Sequence, residues 1–137
     1  MIQRLSPVEA LIYAMVTAAA VDRRITEVEL SRIGSLVSEL PVFRDLKGDW
    51  LTAEAQDCGR VLAKPDGVRR VLDLIKDSLP KHLRETAYVF ATEVTISDLS
   101  VKDEETQFLA LLAEALEIDP LVCAALQRAA RARHQTV

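Results

Sequence analysis

Two stretches of this chain carry carboxylates at matched spacing. The first holds Asp22, Ile25, Glu27 and Glu29, and the second holds Asp98, Val101, Asp103, Glu104 and Glu105. Asp98 follows Asp22, and Glu105 follows Glu29, at one offset (98 − 22 = 76). Carboxylate oxygens are the donors that hard divalent cations prefer, so the chemistry these residues suggest is coordination of Ca²⁺ or Mg²⁺. Asp22, Glu29, Asp98 and Glu105 are the candidate metal ligands, with Glu27, Asp103 and Glu104 adding outer charge. The second stretch is the stronger candidate, because Arg23 and Arg24 stand beside Asp22. Neither is an EF-hand, since the alternating oxygen ligands and the central glycine are missing.

A plainer role competes for some of these acids. Thr26 and Glu29 have the spacing of a capping box, in which the hydroxyl and the carboxylate satisfy backbone N–H groups at a helix start. Acids in a first helical turn also favour the positive end of the helix dipole. That accounts for Glu27, Glu29, Asp103, Glu104 and Glu105. It does not account for Asp22 and Asp98, which follow their preceding helices and face the negative end of the dipole.

The elements that must position these groups repeat with them. The same offset places Glu9 on Glu85, Ile33 on Leu109, Leu36 on Leu112 and Leu40 on Leu116. Ser6 and Pro7 start a first helix whose apolar stripe is Val8, Leu11, Ile12, Met15, Val16 and Ala19. A second helix is predicted over 27–40, ended by Pro41, with Leu30, Ile33, Leu36, Val37 and Leu40 inward. A third is predicted over 51–62 and a fourth over 66–79, burying Val68, Val71, Leu72 and Ile75. Pro80 opens a fifth, facing inward with Leu83, Ala87, Phe90 and Val94. A sixth buries Phe108, Leu109, Leu112 and Leu116. Asp119 and Pro120 begin a seventh, with Leu121, Val122 and Leu126 on its apolar face, which frays into a basic tail of Arg128, Arg131, Arg133 and His134. The expectation is an all-α fold of about seven helices, in which two related helix–acidic loop–helix units pack as one bundle-like domain over 1–137.

Composition agrees with that class and excludes others. Half of the 137 residues are hydrophobic but only 4% are aromatic, so the core is built from Leu, Val, Ile and Ala, a mix suited to helix packing. The net charge of −4 equals that of residues 22–29 and 98–105 together, and disfavours a duplex-binding role. It also disfavours a helix-turn-helix reading of residues 27–43. Cys58 and Cys123 lie apart with no CxxC and read as reduced, small buried residues. Residues 11–21 are apolar but too few to span a bilayer, and their pattern recurs at 85–97, which a leader would not do. The expected location is cytoplasmic. His82 and His134 read as surface or capping residues, the tail as a complement to a helix C-terminus, and no nucleophile setting or phosphate loop points to an enzyme.

The duplicated D-x-x-[IV]-x-x-x-E pattern after an Ala-rich helix resembles the tellurite-resistance TerB-like family. It is carried by Asp22, Ile25 and Glu29 and by Asp98, Val101 and Glu105, over residues 9–43 and 84–120. Arg23 and Leu99 stand where that pattern usually has glycine. The resemblance implies an all-α bacterial stress-response protein of the cytoplasm, with an acidic surface that binds divalent metal and protein partners near the inner membrane. The reading from a different class is a metal-free helical interaction module that docks a basic partner on its acidic face.

If Thr26 caps the second helix, Thr26→Ala lowers stability by about 1 kcal/mol. The shift of a urea unfolding midpoint measures it, and an unchanged midpoint would remove Thr26 from that role.

Overall fold

The computed structural model describes residues 5–20, 27–43, 48–96 and 103–137. Their regular structure is seven α-helices: α1 (Pro7–Ala20), α2 (Glu27–Glu39), α3 (Gly48–Leu62), α4 (Gly67–Ser78), α5 (Arg84–Ile96), α6 (Asp103–Ala115) and α7 (Pro120–Arg133). Short 3-10 turns at Pro41–Phe43 and Lys81–Leu83 join them, and no strand occurs among the described residues. None of these helices is long and apolar enough to cross a membrane.

Their ends follow from local chemistry. Ser6 and Glu9 close a capping box on α1: the Glu9 N–H donates to Ser6 Oγ at 3.1 Å and the Ser6 N–H donates to Glu9 Oε1 at 2.8 Å. Asp119 caps α7 by accepting the Leu121 N–H at 2.7 Å, with Pro120 at the first helical position. The α6 helix ends in a Schellman arrangement, with the Ile118 N–H reaching the Ala113 carbonyl and that of Glu117 reaching Glu114. Glu117 sits there at φ 57°, a left-handed position that glycine usually fills. At the start of α4 only glycine fits, because a Cβ on Gly67 would collide with the backbone of Leu62.

The core is organised around α1. Every residue from Ala10 to Ala19 is buried, so α1 has no solvent face at all over that span. The single apolar stripe expected from its sequence is therefore only part of its buried surface. The reason is that α5, α3, α4, α2 and α6 all pack against it, and its alanines Ala10, Ala14, Ala18 and Ala19 let those backbones approach closely. Its principal partner is α5, which is itself buried continuously from Phe90 to Ile96.

The internal repeat is visible in the element bounds. At the sequence offset, α2 (Glu27–Glu39) maps onto α6 (Asp103–Ala115) end for end, and the last residue of α1, Ala20, maps onto the last of α5, Ile96. Ile33 and Leu36 are buried on α2, as are their counterparts Leu109 and Leu112 on α6. The packing is reciprocal: α2 also touches α5, and α6 also touches α1. That exchange is what a pseudo-two-fold relation between the α1–α2 and α5–α6 pairs produces. Outside the repeat, α3 and α4 cover α1, and α7 covers α5.

Two details depart from the sequence reading. Leu121 was expected to face inward but is 81% exposed, because the Asp119 cap turns the first residues of α7 to solvent. The helix also does not fray at its basic end; it runs to Arg133 and stays docked. Leu11→Ala is expected to cost about 2–5 kcal/mol, since a fully buried leucine is lost from the centre. Leu121→Ala should change stability by no more than about 0.5 kcal/mol. Paired denaturant titrations test both.

Candidate functional site

Asp22 and Asp98, with Ile25, Val101 and the expected cap Thr26, lie outside the described residues. The other two candidate ligands stand at the same step of their helices. Glu29 is half-buried in the first turn of α2, and Glu105 is only 4% exposed in the first turn of α6. Glu27 and Glu104 are exposed. Among the described residues no group of three or more His, Cys, Asp or Glu side chains is placed to hold a metal ion. The described half of the acidic set thus brings one carboxylate per repeat and leaves the remaining donors to the aspartates.

Two buried polar seams had no part in the sequence reading. The first joins α1 to α3. Glu9, Tyr13 and Thr17 lie one helical turn apart along α1 and meet Glu54, Asp57 and Cys58 of α3. Thr17 Oγ1 and Cys58 Sγ are 3.5 Å apart, and the thiol also points to the Tyr13 carbonyl at 4.0 Å. Burial pushes the Cys58 thiol up to about 12, with the Glu54 charge adding to the rise and the Thr17 bond opposing it. It is an inert structural thiol. The Tyr13 hydroxyl is raised by burial and then by the charges of Cys58, Glu54, Asp57 and Glu9. Glu54 is 8% exposed, and burial, followed by the neighbouring acids Glu9 and Asp57, raises it to about 7.

The second seam joins α5 to α7. Glu93 is 3% exposed, yet both of its oxygens are engaged: Arg133 Nη1 donates to Oε1 at 2.7 Å and His134 Nε2 lies 2.5 Å from Oε2. A turn or two away Gln127 Nε2 donates to Tyr88 Oη at 2.5 Å, and Thr92 Oγ1 returns a bond to the Tyr88 carbonyl at 2.8 Å. Burial raises the Tyr88 hydroxyl and, separately, the Cys123 thiol. His134 and Arg133 are therefore the clasp of α7 on the core, where the sequence suggested a loose basic tail.

A sequence signal for both seams exists in hindsight. Thr17 interrupts one apolar run and Glu93 interrupts the other, and the two occupy equivalent positions of the repeat. A polar residue inside a fully buried helix must be met by a partner, and here each is met by a helix from outside the repeat.

Grooves open on the surface of the described residues, and two of them have apolar side chains in their walls. One of about 880 Å³ lies along α1, α2 and α3, with Val16, Ala20, Leu30, Ala55 and Leu62 in its wall and Arg60 beside them. The other, about 640 Å³, lies between α4 and α6 and mixes charge with the exposed Leu111. Nothing in either combines a nucleophile with a general base.

No protein-family model, characterised protein or solved structure matches this chain.

The clasp generates a prediction. The double variant Arg133→Ala with His134→Ala leaves the Glu93 carboxylate buried without counter-charge and should cost about 3 kcal/mol. Arg133→Ala alone should cost less, because that side chain is 65% exposed and screened by water. Urea unfolding midpoints of the two variants give the comparison.

Proposed function

We propose that this chain is a non-enzymatic binding protein of the TerB-like stress-response type. In this reading its two acidic stretches take a divalent cation, Ca²⁺ or Mg²⁺, and present it to a protein partner. The observation that supports it most is the matched placement of Glu29 and Glu105. They stand at the same step of two helices with equivalent bounds, and both are drawn in from solvent, Glu105 almost completely. A glutamate that serves only the helix dipole gains that stabilisation at the exposed surface and has no need to turn inward.

The donor chemistry fits the proposed ion. Glu29 and Glu105 would supply one oxygen donor group each, and Asp22 and Asp98, seven positions earlier in the chain, would complete the set. Mg²⁺ needs as few as one or two carboxylates because it keeps several waters, whereas Ca²⁺ takes six to eight oxygens and would call on all four. A membrane association, in this reading, runs through the partner.

Calorimetric titration of the whole chain with Ca²⁺, Mg²⁺, Mn²⁺ and Zn²⁺ tests the proposal, with melting curves as the second readout. At a cation concentration ten times Kd the stabilisation should be about 1.4 kcal/mol by mass action. Asp98→Asn is the decisive variant and should abolish the rise. Glu105→Gln should do the same, though it also alters a buried position. Asp22→Asn should matter less, since Arg23 and Arg24 already offset that charge. A protein whose melting ignores every cation tested would instead be a metal-free module whose acidic face docks a basic partner.

A further inference from the structure

The contact between α5 and α7 is held by polar groups more than by apolar area. Of the 14 residues of α7 only Cys123 and Ala130 are buried, and α5 is the one described helix on which it packs more than marginally. Val122 and Leu126 are half-buried. The remaining grip is polar: Gln127 Nε2 donates to Tyr88 Oη at 2.5 Å, Arg133 Nη1 donates to Glu93 Oε1 at 2.7 Å, and His134 Nε2 lies 2.5 Å from Glu93 Oε2. Two buried side chains are little apolar area to hold a helix of this length, so α7 can leave without opening the core beneath α1.

The connection that ties α7 to the rest of the fold is short and strained. Arg84 Nη1 donates to the Leu116 carbonyl at 3.2 Å, which fixes the end of the α6 segment against the start of α5. The next residue, Glu117, stands at φ 57°, a left-handed conformation that disfavours any residue with a Cβ. Asp119 is extended (φ −56°, ψ 132°), as a residue before proline prefers, and Pro120 prevents α6 from running on into α7 as one helix. Reorientation of α7 is thus confined to Glu117 and Ile118.

We propose that the face of α5 under α7 also takes α7 of a second copy of this chain, so that two copies exchange this helix and form a dimer. The chemistry of the face selects the occupant. Glu93 is 3% exposed, and a buried carboxylate stripped of its partners is strongly unfavourable. A helix that replaces α7 must therefore bring an arginine and a histidine side by side, a glutamine less than two turns before them, and small side chains where Cys123 and Ala130 lie. Another α7 does so by construction. The exchanged contact equals the closed one, so the balance rests on the hinge. Tethering favours the closed monomer, with an effective concentration on the order of millimolar. Exchange lets Glu117 leave the left-handed region in both copies, and each such release is worth on the order of tenfold. Relief at two hinges brings dimerisation to about ten micromolar chain. The exchange does not depend on the cation reading.

The test is sedimentation of the whole chain from about 1 µM to about 1 mM, after passage through mild urea that lets α7 exchange. The dimer share should grow with concentration, and Glu117→Gly, which suits the closed turn, should weaken the dimer about a hundredfold. Mixing two variants separates exchange from contact between outer faces. Glu93→Gln lacks the carboxylate, and the double variant Arg133→Ala with His134→Ala lacks its partners. In an exchanged pair the intact α7 of the first lies on the intact Glu93 of the second. Native mass spectrometry of the mixture should therefore find the mixed dimer in excess of its statistical share. If the double variant does not fold, Arg133→Ala takes its place in the mixture. A chain that stays monomeric up to about 1 mM overturns the proposal. So does a dimer that Glu117→Gly leaves unchanged, or a mixed dimer at no more than its statistical share.

Discussion

The constraint on which the rest of this structure depends is that α1 has no solvent face between Ala10 and Ala19. A helix buried on every side needs partners all round, and five other helices supply them. It also needs small residues where backbones come close, which is the physical use of its alanines. Any polar atom on such a helix must be satisfied inside the protein, because water cannot reach it. Thr17 meets that demand through Cys58.

The same constraint acts on α5, the repeat-equivalent of α1, with a different solution. Where α1 has Thr17 facing a thiol, α5 has Glu93 facing an arginine and a histidine. A hydroxyl and a thiol exchange a weak contact at little desolvation cost, whereas a buried carboxylate requires two donors and ties down a helix end to get them. The two halves therefore share a backbone plan and differ in electrostatics. One seam is a weak hydroxyl–thiol contact; the other is a compact carboxylate clasp that holds α7.

Function, in the reading proposed here, sits at the ends of this frame. The centre of the molecule is committed to packing, and its thiols and tyrosines are held far from reactivity by burial. What the frame does offer is two helix starts, those of α2 and α6, held in equivalent settings with an inward-turned glutamate on each.

Most of the architecture was legible in the residues. Apolar spacing, the Ser6–Pro7 and Asp119–Pro120 starts and the breaks at Pro41 and Pro80 are local signals, and the helices fall near where those signals put them, except that a 3-10 turn over Lys81–Leu83 delays α5 to Arg84. The offset of 76 likewise shows in the element bounds, because a repeated apolar pattern requires a repeated packing partner. Three things were decided only by the tertiary structure. The burial of α1 on all sides depends on how many helices surround it, which periodicity cannot count. The outward turn of Leu121 depends on the cap geometry of Asp119, although its spacing is that of a core residue. The pairing of Thr17 with Cys58, and of Glu93 with Arg133 and His134, joins positions about forty residues apart. No local pattern carries such a pairing, because a charge is assigned its partner only when the helices that bear the two groups have packed.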